Sequence, residues 1–301
     1  MTKLVPTSTT PDPRGRFPVL LSYALIRERP EEDFREFVEN PDIEVLLDSG
    51  AFTALNTGQE IRLDEYMEFL SKWKDKLFGY LALDVLGDPA GTDRNLAVML
   101  KEGFKPIPVH VRGDEQDRMD QLFEWSDWVA LGGLRRPHVG WGSKAYVKQK
   151  MVWARGRNVH WLGYTNRQMV LAFKPYSVDC SNWASGSRWG LLDMHLGDGR
   201  WKRRGKIDKG ALDQPLSAEE VAFFAKLGLA PKDVRNPKNW RLDVKSGRTL
   251  DTHVPFLATA YSWVTFIRHI RETVGTRSFL ACSMIGDEHR TLLKMIGDTA
   301  P

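Results

Sequence analysis

The stretch VLLDSGAFTALNTG, residues 45–58, decides how the chain is read. Val45, Leu46 and Leu47 have the composition of a buried strand. A carboxylate, Asp48, follows at once, and then a Ser-Gly pair and a polar run. Packing alone gives no reason for an acid at that position. The C-terminal edge of a parallel sheet does, because barrels and open α/β sheets place their chemistry there.

The rest of the chain repeats the pattern. Strands are expected at FPVLLSYALI (17–26), EVLLDSG (44–50), GYLALDVLGD (79–88, strand then loop), KPIPVHVRGD (105–114), WVALGGL (128–134), NVHWLGY (158–164), YSVDCSNW (176–183) and RSFLACSM (277–284). Helical spacing lies between them at 63–76, 91–103, 114–125, 143–155 and 166–173. Alternating strand and helix predicts a parallel sheet. About eight such repeats in 301 residues is the size of a (β/α)8 TIM barrel, with a doubly wound sheet as the alternative. The rhythm breaks over 187–252, which is rich in Gly, Trp, Arg and Lys and has one clear helix near 217–228. This segment is expected to be an insertion before the last βα unit of a single domain spanning 1–301. An amphipathic helix over 254–275 is expected on the barrel exterior, with a last helix near 288–297.

Composition narrows the function classes. Hydrophobic residues make up 42% and charged residues 27% of the chain, as in an ordinary soluble globular protein. No apolar run approaches the roughly 18 residues of a membrane span, so no membrane partner is expected. MTKLVPTSTTPDPRGR at the start lacks the apolar segment of a secretory signal and reads as a flexible lead-in. Two cysteines, Cys180 and Cys282, fit a reducing compartment and a cytoplasmic location. They exclude a disulfide framework and any zinc site needing three or four thiolates. No metal and no cofactor is expected. His138, His160 and His195 lack metal-ligand spacing and read as surface or packing residues.

Net charge is only +4, but the distribution is uneven. Between Arg188 and Lys209 seven basic residues face three acidic ones. Arg188, Arg200, Lys202, Arg203, Arg204 and Lys206 read as phosphate contacts; the bland reading is a solvated loop. Trp201 within the run either stacks on a base or packs down on the domain.

The strand ends carry the chemistry. The second expected strand ends in Asp48 and the third in Asp84. The fourth carries His110 and Arg112, the fifth ends in Gly132-Gly133, the sixth in Gly163-Tyr164, and the seventh carries Asp179. One such Asp can be only a helix cap. Three on one face repel one another and raise their pKa values, which stability alone does not favour. The cluster suits glycosyl chemistry, where one carboxylate attacks an anomeric carbon and another moves protons. Gly-Gly either lets a ligand reach bare backbone N–H groups or simply allows tight packing.

These residues resemble a known family. LLDSGAFTALNTG is similar to the Asp-Ser-Gly-Gly-(Phe/Tyr) motif of tRNA-guanine transglycosylases. WVALGGL resembles their Gly-Gly strand end and VHWLGYTN their Leu-Met-Gly-Val-Gly segment. YSVDCSNWASG resembles their Phe-Asp-Cys nucleophile strand, and LALDV stands where they have a Phe-Asp strand. The likeness keeps the family's order and covers residues 44–186. It implies a TIM barrel that exchanges guanine for a 7-deazaguanine base in a nucleic acid. It implies Asp179 as nucleophile at C1′ and Asp48 as general acid/base. Asp84 would then bond the guanine-like edge, and Gly132 and Gly133 would present N–H to O6. Phe52 and Leu162 would sandwich the heterocycle, and Gly163 would leave room for its 7-substituent.

Three departures narrow the branch. The Cys-x-Cys-x-x-Cys plus His zinc site of the tRNA enzymes is absent. Ala51 replaces the second glycine of the first motif. Where the family reads the base with glutamine, this chain has Arg112, or else His110; a guanidinium there disfavours a cationic aminomethyl base. The missing zinc subdomain resembles the DNA-modifying, DpdA-type branch of bacteria and phages. The expected reaction is then insertion of a free 7-deazaguanine, such as 7-cyano-7-deazaguanine, into DNA, in the host cytoplasm if the gene is phage-borne. Such modification hides the major-groove edge of guanine from restriction enzymes. The alternatives are a zinc-less tRNA-guanine transglycosylase, a base-removing hydrolase, and an inert nucleic-acid-binding barrel.

Overall fold

All six residues of the first strand, Phe17–Ser22, are buried, as a parallel strand covered on both faces requires. The computed structural model describes residues 15–112, 114–134, 140–205, 210–240, 253–282 and 286–299, without the side chains of 140–143, 187 and 286–288. His138 and Lys206 lie outside the described residues. The strands are β1 (Phe17–Ser22), β2 (Ile43–Asp48), β3 (Gly79–Tyr80), β4 (Val109–His110), β5 (Trp128–Leu131), β6 (Asn158–Trp161), β7 (Ser177–Cys180), β8 (Leu192–His195), β9 (Trp201–Gly205) and β10 (Arg277–Cys282). The chain divides into two compact units, Met1–Cys180 with Val274–Met284, and Ser181–Thr273 with Ile285–Pro301.

The first unit holds an eight-stranded sheet in the order β3-β2-β1-β10-β7-β6-β5-β4. Every pairing in it is parallel. The two outermost strands of that order are also linked. Ala82 N–H donates to Ile107 O at 2.9 Å and Ile107 N–H donates to Tyr80 O at 2.8 Å, around a parallel bridge between Leu81 and Ile107. The sheet therefore curls. Leu20, Leu46, Leu81, Ile107, Val109, Ala130 and Phe279 pack into one buried cluster on its concave side. Phe78, just before β3, lies 5.7 Å from the Trp128 ring and 5.8 Å from the Phe279 ring. At the strands' N-terminal end, the buried Arg277 sits over Phe78 and Tyr176, with Nε 3.4 Å from Glu44 Oε1. Removing one partner of such a buried pair strands the other charge.

The helices of this unit are α1 (Tyr23–Ile26), α2 (Glu31–Val38), α3 (Ala51–Thr57), α4 (Leu63–Trp73), α5 (Pro89–Lys101), α6 (Gln116–Trp125), α7 (Gly140–Ala154) and α8 (Arg167–Phe173). The first expected strand was too long. It stops at Ser22 and the chain turns into α1, because a short apolar run does not distinguish strand from buried helix. Helices α2 and α3 were not expected. Phe34, Phe37 and Val38 form the buried side of α2.

The second unit comprises α9 (Ser185–Trp189), the β8–β9 hairpin, α10 (Ala218–Ala225), α11 (Pro231–Val234), α12 (Val254–Val274) and α13 (Gly286–Asp298). Helix α12 is no exterior amphipath. Phe256, Trp263, Phe266, Ile267 and Ile270 are buried along with the small residues between them, the pattern of a core helix. His195 N–H donates to Ser262 Oγ at 2.9 Å. Trp201 packs 5.4 Å from Trp263 and 5.2 Å from Phe266, so it packs down. No described helix is long and apolar enough to cross a membrane.

Candidate active site

Asp48 and Asp179 reach the same edge of the sheet because the strands are parallel and in register. Ser22 pairs with Asp48, and Phe279 with Asp179. Leu46 faces the concave core, and the two-residue period turns Asp48 to the same side. After Asp48 the chain reverses tightly, with Gly50 N–H donating to Asp48 Oδ2 at 3.1 Å. Gly50 has φ +84°, and a Cβ there would lie 2.5 Å from Ala24 Cβ, so only glycine makes this turn.

Asp84 arrives on the loop after β3. Helix α5 pins both its neighbours: Asn95 Nδ2 donates to Leu83 O at 3.0 Å, and Thr92 Oγ1 accepts from Val85 N at 2.8 Å. Ser49 Oγ donates to Asp84 Oδ1 at 3.1 Å, tying the second and third strand ends together. Asp179 is buried. Its Oδ1 accepts Gly163 N–H at 2.6 Å, and its backbone carbonyl accepts Thr165 Oγ1 at 3.0 Å. Among the described residues, no hydrogen bond reaches Oδ2.

Burial pushes Asp48 from 3.8 up to about 8, and the Asp84 and Asp179 carboxylates add to the rise. Burial also lifts Asp84 to about 6, against the Ser49 hydrogen bond. At neutral pH Asp48 is thus mainly the protonated acid, with Asp84 mainly ionised. Carboxyls set apart in this way can divide proton donation from charge stabilisation.

The other expected base contacts divide. Leu162 packs at the edge of the concave cluster, next to Gly163. Phe52 stands on α3 with 47% of its surface exposed, free to cover a planar ligand. Gly132 is a correction: its N–H donates to His110 O at 3.0 Å and is therefore engaged in the sheet. A Cβ at Gly132 would meet Val109 Cγ1 at 3.1 Å, and one at Gly133 would meet Arg112 Cβ at 2.7 Å. Tight packing against the fourth strand accounts for the pair. Arg112 lies at the same edge, its Nη1 donating to Gly133 O at 3.3 Å and its guanidinium 5.1 Å from the centre of the Tyr146 ring.

His110 is the second correction. Val109 faces the concave core, so its neighbour faces the opposite side. The fully buried ring puts Nε2 3.2 Å from Glu115 O and packs near Trp153. Burial, helped by the Lys150 ammonium, pulls its pKa down to about 4.

In the second unit the basic run is largely built into the fold. Arg204 is buried against Glu220 at 2.8 Å, its side chain only 4% exposed. Arg203 pairs with Asp193, Arg200 with Glu219, and Lys202 with Glu220. Arg204 is thereby corrected from phosphate contact to structural ion pair; acids on β8 and α10 claim the cations that sequence left unpaired. Arg188 is exposed, and its neighbour Trp189 is 63% exposed.

One residue of the site escaped the sequence reading. His160 on β6 is completely buried, with Nε2 3.2 Å from Asp179 Oδ1 and Nδ1 2.8 Å from Ser177 Oγ. The available signal was its register: it stands two residues before Leu162, on the inward face of its strand. Among the described residues no group of His, Cys, Asp or Glu side chains is arranged to hold a metal ion. Comparison with models of known protein families and with curated proteins finds no match to the chain.

Proposed function

We propose that the chain is a guanine transglycosylase that exchanges guanine in DNA for a free 7-deazaguanine base by double displacement. The observation that carries this reading is the split carboxylate cluster, with Asp48 protonated near neutral pH beside Asp179, whose Oδ1 is anchored and whose Oδ2 is not. The reading takes the curled sheet as a closed (β/α)8 barrel, supported by the Leu81–Ile107 bridge between the outermost strands, with the carboxylates at its C-terminal mouth.

In the first half-reaction Asp179 Oδ2 bonds to C1′ as the C1′–N9 bond breaks. Guanine leaves with that electron pair and takes a proton from Asp48. In the second half, Asp48 accepts the N9 proton of the incoming base, which attacks C1′. The C1′–Oδ2 bond breaks, and its electron pair returns to the carboxylate. Two inversions give retention. Asp84 bonds the donor edge of the base, and Phe52 and Leu162 cover its faces. The target nucleotide must leave the stack to expose C1′. Taken by itself, the second unit offers single-stranded DNA an exposed cation, Arg188, and an aromatic face, Trp189. Exchange into DNA would alter the groove edge that restriction enzymes read.

The test is base exchange on guanine-labelled DNA and, separately, guanine-labelled tRNA, with 7-cyano-7-deazaguanine added. Loss of label and gain of modified nucleoside are read by mass spectrometry. Exchange in DNA that Asp179→Asn abolishes is the expected result. Exchange only in tRNA overturns the DNA assignment and keeps the mechanism. No exchange in either, with DNA binding intact, favours an inert binding barrel.

A further inference from the structure

We infer that His160 is a positioning residue for Asp179, held by Ser177 so that its Nε2 proton faces Oδ1 and leaves Oδ2 as the attacking atom. The inference rests on the reading of Asp179 as nucleophile. Ser177, His160 and Asp179 form a chain across β6 and β7, with Ser177 Oγ 2.8 Å from Nδ1 and Nε2 3.2 Å from Oδ1. Ser177 and His160 are fully buried. Neither hydroxyl nor imidazole can meet a substrate, so the chain's only outlet to the mouth is the carboxylate.

Packing fixes the ring. The Trp128 and Phe279 rings flank it, each 6.1 Å away. With Ser177 O–H donating to Nδ1, the ring carries its N–H on Nε2. Nε2 makes no hydrogen bond with well-formed geometry in the free protein, yet it stands 3.2 Å from Oδ1, and on this inference the bond forms as charge develops on that oxygen. Gly163 N–H already donates to Oδ1 at 2.6 Å. Two donors on one oxygen leave the other to bond C1′. In the glycosyl-enzyme, Oδ1 is the ester carbonyl. When the C1′–Oδ2 bond breaks, the returning charge spreads onto Oδ1, where both donors stabilise it. A donor that strengthens with developing charge acts on kcat more than on KM.

Sequence-wise this is an expensive arrangement. A histidine buried between the Trp128 and Phe279 rings must keep its ring nitrogens partnered or lose stability. A phenylalanine of similar volume would satisfy packing alone.

Two measurements test the inference. His160→Phe, which keeps ring volume, should lower the base-exchange kcat at least 30-fold with KM changed less than threefold. His160→Gln, which can return an N–H to the Nε2 position, should recover at least tenfold of that loss. Ser177→Ala should lower kcat about tenfold. If His160→Phe exchanges base within threefold of the wild type while Asp179→Asn is dead, the positioning role is wrong and the transglycosylase reading stands. The second measurement needs no activity. ¹⁵N-histidine NMR should show His160 as the Nε2–H tautomer, with a resonance that shifts on Asp179→Asn. An Nδ1–H tautomer, or signals indifferent to Asp179→Asn, overturns the inference even if the wild type exchanges no base. Failure of the function alone appears instead as an inert wild type with the expected NMR signature.

Discussion

The backbone N–H of Gly163, at the end of β6, donates to Asp179 Oδ1, on β7, at 2.6 Å. One strand's turn thus holds the next strand's carboxylate. Gly163 takes φ +63°, a left-handed conformation that disfavours any other residue. Gly163→Ala should cost about 1–2 kcal/mol of stability and displace the donor from Oδ1. We expect base exchange to fall at least tenfold, while urea unfolding shows a chain that is still folded. An alanine variant with unchanged turnover would separate the N–H contact from catalysis.

Asp48 predicts a stability signature. Its pKa in the fold is about 8 against an ordinary 3.8, so the native state binds its proton more tightly than the unfolded chain does. That contribution is fully present below pH 4 and is lost as pH rises through 8. Asp48→Asn stays neutral throughout. The variant should match the wild type near pH 4 and exceed it by about 1–3 kcal/mol at pH 8.5, measured by urea denaturation at both pH values. Equal stability at pH 8.5 would mean that Asp48 is not desolvated.

Activity should follow the same cluster. On the proposed mechanism, exchange needs protonated Asp48 for departure of guanine and ionised Asp84 for the base edge. The kcat/KM profile of the wild type should be bell-shaped, with apparent limbs near the values of about 6 for Asp84 and about 8 for Asp48. Those limbs belong to the coupled group of acids rather than to single residues. A profile flat from pH 5 to 9 would remove both assignments.

Among the described residues of the basic segment, Arg204 is a structural cation and Arg188 is exposed. Arg204→Ala removes one of the two cations on the buried Glu220 carboxylate and leaves it Lys202, so it should destabilise the second unit by about 1–2 kcal/mol, less than a fully stranded charge costs. Arg188→Ala with Trp189→Ala should leave stability within about 0.5 kcal/mol and weaken binding of single-stranded DNA severalfold at low salt. Fluorescence anisotropy at two salt concentrations, beside thermal melts, distinguishes them. Equal binding by the double variant would place the nucleic-acid surface elsewhere.

Gly50 tests the turn that delivers Asp48. A methyl group there would meet Ala24 Cβ at 2.5 Å and Ala24 N at 2.7 Å, in a left-handed backbone. Gly50→Ala should cost about 2–4 kcal/mol, read as a lowered midpoint of urea unfolding. Gly58→Ala serves as the control, with a left-handed backbone but nothing within 4 Å of the added group.

The order of the eight strands of the parallel sheet and the three acids at or just after strand ends were legible in the sequence, whereas helices α2 and α3 and the β8–β9 hairpin were not. Apolar runs bounded by glycines and polar turns mark buried parallel strands, and a parallel sheet must bring their C-terminal ends to one edge. Asp48, Asp84 and Asp179 could therefore be named from local pattern alone. Strand register and side-chain direction were decided only by the tertiary structure. Val109 faces the core, which turns His110 away, whereas the same two-residue period turns His160 in. The sheet's own hydrogen bonding engages the N–H of Gly132, and no local motif reports that. Acids on β8 and α10 neutralise Arg203 and Arg204, a pairing set by contacts 10 and 16 residues apart. Local sequence records each residue's own chemistry; which partner reaches it depends on how distant segments pack.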